Sequence, residues 1–196
     1  MQGVAMWKTF PCWSWTSNEP LELKSFVQSF QAIVPNQRWV FCRSDVAQTS
    51  RQLWTATTVS NRNTERGTAQ ARTLDAEFLR VLAGTHNVSE AFKRAGLQNK
   101  STSGWLLHIP DQTIPMNSET IDQEANELLD GLGLSKTSES LEISLNGAKN
   151  LGILLDETID ASRIEASLIG HILLADVSGS QSVSYTHLRA HETARH

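Results

Sequence analysis

The chain has 196 residues, of which 39% are apolar and 19% charged, and its formal net charge at pH 7 is -4. These values suit one globular domain with a hydrophobic core. They exclude a membrane-spanning chain, since no stretch reaches roughly 18 consecutive apolar residues, and the N-terminus lacks the apolar segment of a secretory signal. The cysteines Cys12 and Cys42 lie far apart, as in reduced cytosolic proteins. We therefore expect a cytoplasmic protein.

The first predicted element is a strand over 6–15, and a helix with an apolar stripe follows it and ends before Pro35. The segment 38–46 is β-favouring and bounded by turn residues, so we predict a central strand there. A helix is predicted over 48–61. The polar segment 61–71 has no hydrophobic period and predicts a loop.

The stretch 72–97 predicts two short helices joined by a polar elbow. Thr73 is placed to cap the first helix, and Gly84 follows it where a left-handed residue is needed. Asn87 opens the second helix, with Glu90 as its capping-box partner. The apolar stripe of the first helix consists of Leu74, Phe78, Val81 and Leu82.

The remaining chain predicts a strand over 104–109, a helix over 118–132, a short alternating strand over 141–145 and a helix over 160–175. Strands and helices mixed at this spacing indicate an α/β fold, with a mixed β-sheet packed against several helices. We expect a single domain over residues 1–181.

The last segment, 182–196, contains the run V-S-Y-T-H-L-R-A-H-E-T. This run resembles the translation of a sequencing-library transposase adapter. We therefore expect the segment to be a non-native tail and exclude it from the predicted domain.

Charge is distributed unevenly along the chain. Residues 62–100 contain seven basic and four acidic side chains, whereas residues 111–166 contain three basic and twelve acidic ones. An acidic protein can still bind phosphate through a local basic face, because the Debye length at cellular salt is only about 8 Å. The alternative is that both regions are simply solvated surfaces.

Motifs for catalysis or metal binding are missing from the sequence. It contains neither the G-x-x-x-x-G-K-[ST] phosphate loop nor the H-E-x-x-H zinc motif, and the glycine-rich run at Gly131 follows a helix instead of a strand. His108 and His171 lie in apolar patterns typical of core histidines, which argues against a joint metal site with His86. Cys42 fits a small buried hydrophobe. We expect no catalytic residue, metal or cofactor.

The stretch 72–97 resembles the signature of the smallest subunit of the KEOPS complex, the Cgi-type family whose animal member is the PRPK-binding protein. Weaker similarity extends over residues 20–175, and the resemblance points to an archaeal member. The residues that carry the signature are Thr73, Asp75, Glu77, Phe78, Gly84, His86, Asn87, Val88, Ser89 and Ala91.

The resemblance implies a non-catalytic subunit with two partners. In KEOPS this subunit packs on the N-lobe of the Bud-type kinase/ATPase, which it activates. It also holds the single-stranded CCA end of the tRNA, on which the complex makes threonylcarbamoyl-adenosine. No membrane and no small-molecule substrate are expected as partners.

The candidate residues follow from the resemblance and from the basic face. Two positions differ from the archaeal pattern, since His86-Asn87 stand where Arg-Gln is expected and Thr68-Ala69 stand where Arg-Asn is expected. Arg72 is the candidate platform for an unstacked base. The candidates for tRNA binding are Arg66, Arg72, Thr73, His86, Asn87, Lys93 and Arg94, and those for the kinase interface are Leu79, Arg80 and Ala83.

Two other functions remain open from the sequence. The first is a small stand-alone enzyme that uses His86 as an acid or base. The second is a generic protein-interaction module without a role in RNA binding.

Overall fold

The fold is built around a four-stranded sheet, seen in a computed structural model that describes the backbone of residues 9–192 and the side chains of residues 9–176. The strands are β1 (Cys12–Thr16), β2 (Trp39–Cys42), β3 (Ser103–His108) and β4 (Ser135–Lys136). They lie in the order β2-β3-β1-β4, and every pairing in this sheet is antiparallel.

The α/β fold class is confirmed, with three differences in the sheet. Its strand pairs are antiparallel throughout instead of mixed. The predicted strand over 38–46 forms β2, but it lies at the edge of the sheet and not at its centre. The predicted strand over 6–15 begins at Cys12, directly after Pro11, because proline cannot donate to the ladder. Residues 6–8 of that prediction lie outside the described residues.

Both faces of the sheet are covered, which explains why β2 is apolar throughout and why the middle of β3, residues 105–107, is apolar as well. Side chains alternate along β2, so that Trp39 and Phe41 pack into one core while Val40 and Cys42 pack into the other. The first core is closed by the helices α1 (Leu23–Ile33) and α5 (Ser118–Gly131). The other core is closed by α2 (Ser50–Glu65), α3 (Leu74–Leu82), α4 (Val88–Arg94), α6 (Leu145–Asn150) and α7 (Ala161–Glu192).

Helix α3 is the central helix of the second core. Eight of its nine residues are buried, including the charged residues Glu77 and Arg80. The sequence predicts one apolar stripe on α3, but the helix is buried on further sides, because α2, α4 and α7 cover the sides that the sequence leaves polar. Apart from Arg80, the basic residues of the stretch 72–97 lie near its ends, namely Arg72, Lys93 and Arg94.

The predicted strand over 141–145 is wrong. The segment has the expected alternation, and Leu141, Ile143 and Leu145 pack against the second core. However, it forms no ladder with the sheet, and Ser144 caps the short helix α6 by accepting a hydrogen bond from the Gly147 amide at 3.1 Å.

Helix α7 begins near its predicted start and continues to Glu192, beyond the predicted end at Ala175. The tail prediction for 182–196 thus begins inside this helix, and residues 193–196 lie outside the described residues. Across the part of the chain that the structure describes, no helix combines the length and apolar content needed to cross a membrane.

Candidate functional site

The helices α3 and α4 form an antiparallel hairpin that divides the predicted tRNA-binding residues into two groups. Thr73 precedes α3, and Lys93 in the last turn of α4 returns to the same end, so that both line one groove. His86 and Asn87 form the elbow at the other end of α3, which is about 14 Å long for nine residues. The seven candidates therefore do not form one cluster.

The groove at the first end is the best candidate for a binding site. It has a volume of about 720 Å³ and lies between α1, the edge strand β2, the start of α3 and the end of α4. Its walls are mostly aromatic and aliphatic, which suits a flat apolar group. Among the residues that line it are Phe26, Phe30, Trp39, Leu79, Phe92 and Leu97.

Phe92 and Asp75 give the groove its chemical character. Phe92 is 45% exposed, although it is a large aromatic residue, and it stands directly before Lys93. Asp75 lines the groove, and its buried Oδ1 has no hydrogen-bond partner in the described part of the chain. A carboxylate inside the groove repels phosphate but accepts hydrogen bonds from the amino groups of bases or from cations.

Three of the predicted tRNA-binding cations are exposed and lack a strong partner among residues 9–176, and one of them, Lys93, lines the groove. Arg66 ends α2 and Arg72 precedes Thr73, and both are exposed without an ion pair among residues 9–176. Lys93 is 76% exposed and reaches Glu90 only at 3.9 Å, which is a weak surface contact. These three side chains remain available for a negatively charged partner.

Arg94 has a structural role instead. Its Nε donates to Glu90 at 2.9 Å, and its Nη1 donates to the Leu151 carbonyl at 3.3 Å. The guanidinium also lies over Gly152, where an added Cβ would stand 2.6 Å from Nη1. Arg94 therefore joins α4 to the segment after α6, and its removal would affect packing as well as charge.

At the elbow, the predicted N-cap of α4 is confirmed, whereas the predicted capping box is only half formed. Asn87 caps α4, because its Oδ1 accepts a hydrogen bond from the Glu90 amide at 3.1 Å. The Glu90 side chain does not complete the capping box and pairs with Arg94, while the Asn87 amide donates to Thr85 Oγ1 at 3.2 Å. Because the amides of Glu90 and Asn87 already donate hydrogen bonds within the elbow, they are not free to bind a phosphate.

Thr73 occupies the predicted N-cap position of α3, but its side chain makes no capping hydrogen bond. The hydroxyl is half-buried at the edge of the groove.

The three residues predicted to contact a kinase are all buried, and this assignment is therefore corrected. Leu79 and Arg80 are each 2% exposed, and Ala83 is fully buried. They lie inside the second core because neighbouring helices cover α3 on several sides. A direct contact with a partner protein would require other, exposed residues.

The histidines and cysteines are placed separately in the fold. His108 packs edge-on against Trp39 at 4.8 Å between ring centroids, and His171 Nε2 contacts the carbonyls of Ala83 and Leu151 at 3.0 and 3.1 Å. Within residues 9–176, no three His, Cys, Asp or Glu side chains converge as they would around a metal ion. The exposed His86 forms no ion pair within residues 9–176.

The surroundings of both cysteines disfavour the thiolate form. Burial raises the pKa of Cys12 to about 11 and raises the pKa of Cys42 further, so that neither forms a thiolate near neutral pH. Cys42 packs into the second core as the small hydrophobe that the sequence predicts.

The comparison with protein families finds a match over most of the chain. The sequence model described as kinase binding protein CGI-121 matches residues 22–172, a range that contains every residue of the groove. No curated protein matches the chain. The match covers more than three quarters of the chain and confirms the resemblance of the stretch 72–97 to the Cgi-type family. The chain therefore belongs to the CGI-121 family of kinase-binding proteins.

Proposed function

We propose that this protein is a non-catalytic, cytoplasmic subunit of the KEOPS complex. In this role it binds and activates the Bud-type kinase/ATPase and helps to recruit tRNA by its CCA end for threonylcarbamoyl-adenosine modification. Membership of a kinase-binding family supports the first activity. The groove with the exposed Lys93 on its wall supports the second.

Phe92 beside Lys93 on the wall of the groove is the observation that supports RNA binding most directly. An unstacked base needs a flat apolar surface, and the adjacent phosphate needs a cation. Phe92 offers the surface, and Lys93 on the same wall offers positive charge. Arg72, which is exposed and directly precedes the groove residue Thr73, adds to that charge. The Asp75 carboxylate favours base edges with donor groups inside the groove and keeps phosphates at its rim.

Kinase binding is tested first, with the full chain and the purified cognate kinase of the complex. We expect a complex at micromolar concentration in size-exclusion chromatography, together with increased ATPase activity of the kinase. Failure to form a complex at that concentration would contradict the proposal. Kinase binding without any tRNA binding would leave a protein-interaction module without a role in RNA recruitment.

Binding of tRNA is tested with an intact tRNA and the same tRNA lacking its CCA end. We expect the wild type to prefer the intact form, and we expect Phe92→Ala and Arg72→Glu to weaken that binding by roughly tenfold. Lys136→Glu is the matched control, since it makes the same charge change on β4 at the opposite edge of the sheet. Equal effects of Arg72→Glu and Lys136→Glu would show only a general dependence on net charge.

A further inference from the structure

The core between the groove and the elbow contains a completely buried charged pair. Glu77 is 0% and Arg80 2% exposed, and two parallel hydrogen bonds join them, from Nη2 to Oε1 at 2.5 Å and from Nε to Oε2 at 2.9 Å. Three further donors reach the same carboxylate at 3.1 Å, namely Asn63 Nδ2 and the amides of Gln70 and Ala71. The carboxylate therefore fixes a segment of the chain outside its own helix.

That segment is the loop between α2 and α3. The Asn63 carbonyl accepts hydrogen bonds from the amides of residues 68 and 69 at 2.9 and 3.1 Å, and Glu77 accepts those of residues 70 and 71. The four consecutive backbone amides of residues 68–71 thus donate hydrogen bonds to acceptors in the core, which gives an irregular loop one defined path. The exposed residues that flank this path are Arg66 and Arg72.

Arg80 makes the corresponding contact at the other end of α3. Its Nη1 donates to the Thr85 carbonyl at 2.8 Å, and Thr85 Oγ1 accepts the amide of Asn87. The same pair therefore fixes both the loop before α3 and the elbow after it.

Stability alone does not account for ionised groups at this position. Burying two charges has a large desolvation cost, and well-packed apolar residues of similar volume often stabilise a core equally well or better. A carboxylate that accepts hydrogen bonds from loop amides can fix the path of the loop, which an apolar pair cannot do. We infer that Glu77 and Arg80 are a positioning pair, which fixes the loop between Arg66 and Arg72 and so presents these two arginines to the phosphates of RNA. This inference rests on the proposed tRNA binding.

A double-mutant cycle on the full chain tests the inference, with the intact tRNA as probe. Glu77→Gln keeps the size of the side chain but places an amide against donors, so the loop loses its anchor. We expect it to weaken tRNA binding roughly fivefold to tenfold. The variant Arg66→Ala/Arg72→Ala should lower the salt dependence of binding by about two phosphate contacts. Because Glu77 acts through the two arginines, adding Glu77→Gln to that variant should cause little further loss.

Two further variants separate positioning from stability. Gln48→Met removes another buried polar side chain, which is 1% exposed and accepts the Ser144 amide at 2.8 Å, far from the loop. It should lower the melting temperature and leave tRNA affinity unchanged. If Glu77→Gln fails to fold, Arg80→Lys keeps the charge, loses the bidentate geometry and takes its place in the cycle.

The outcomes are distinct. Additive effects of Glu77→Gln and the arginine changes, or equal losses of affinity in Glu77→Gln and Gln48→Met, would overturn the positioning role while wild-type tRNA binding stands. Absence of tRNA binding by the wild type would overturn the proposed function and the inference together.

Discussion

The imidazole of His171 occupies the space beside the Cα of Gly84, where an added Cβ would stand 2.1 Å from the ring. Nε2 of the same ring contacts the Ala83 and Leu151 carbonyls, so α7 is joined to the end of α3 and to the end of α6. Gly84 has a φ of 58°, in the left-handed region that glycine adopts without strain. Glycine at position 84 therefore allows both the left-handed turn that ends α3 and the close contact with the His171 ring.

Gly84→Ala should lower the free energy of unfolding by about 2 to 3 kcal/mol, because it adds left-handed strain of about 1 kcal/mol and a clash with the ring. Urea unfolding measures the loss. Gly67→Ala is the matched control, since Gly67 has a φ of 67° and nothing lies within 4 Å of its added Cβ. Losses of equal size in the two variants would show that His171 does not restrict this position.

His108 should make the protein sensitive to mild acid. Burial, followed by the nearby charge of Arg38, lowers the pKa of His108 from 6.5 to about 4. Between about pH 6.5 and 4 the unfolded chain binds a proton at His108, whereas the folded chain does not. The contribution of neutral His108 to the free energy of unfolding is therefore fully present above about pH 6.5 and is lost as the pH falls towards 4. The loss should reach about 3 kcal/mol. Unfolding by urea between pH 7 and 4 measures it.

His108→Phe keeps the ring contact with Trp39 and should remove most of this slope. His86→Ala, at an exposed position, should retain it. A slope that persists in His108→Phe would assign the acid sensitivity to another group.

Glu77 should produce a second loss of stability at lower pH. Burial alone would raise the pKa of Glu77, but the hydrogen bonds from Arg80 and Asn63, the Arg80 charge and the Ala71 amide lower it below 4.5. With a depressed pKa, the carboxylate contributes stability above about pH 4.5, and this contribution is lost as the pH falls through the lowered value. Melting curves between pH 5 and 2 measure the loss, which should be absent in Glu77→Gln and retained in Glu127→Gln.

Arg94 and Arg72 should differ in their effect on stability. Arg94→Ala removes the contacts with Glu90 and the Leu151 carbonyl and should cost about 1 kcal/mol. Arg72→Ala removes an exposed side chain that forms no ion pair among residues 9–176, and it should change stability by less than about 0.5 kcal/mol. Chemical unfolding of the two variants side by side measures the difference, and equal losses would contradict the structural role of Arg94.

The local signals of the stretch 72–97 predicted its structure well. Glycine at position 84, Asn87 before the second helix and the apolar spacing all depend on neighbours in the sequence, and each is found where expected. Glu77 and Arg80 also stand three residues apart, a spacing at which side chains meet on a helix. Burial of that pair could not be predicted, because it depends on α2, α4 and α7 covering the same helix.

Non-local pairing limited the prediction of the sheet in the same way. β4 has two residues, Ser135 and Lys136, and carries no pattern of its own. The alternation of Leu141 and Ile143 was real, but side-chain packing satisfied it without a strand partner. The groove could not be predicted either, since its walls come from four elements that only the fold brings together.

The pairing of β1 with β3 has a consequence for synthesis of the chain on the ribosome. Cys12 pairs with Leu107, so about 95 further residues are synthesised before the partner strand of β1 is present. At roughly 5 to 20 residues per second this takes roughly 5 to 20 seconds. During that time Trp13 and Trp15, which later lie in the core with α1 and α5, have no sheet to join. Nascent chains of this protein should therefore require protection of these two tryptophans until β3 has left the exit tunnel.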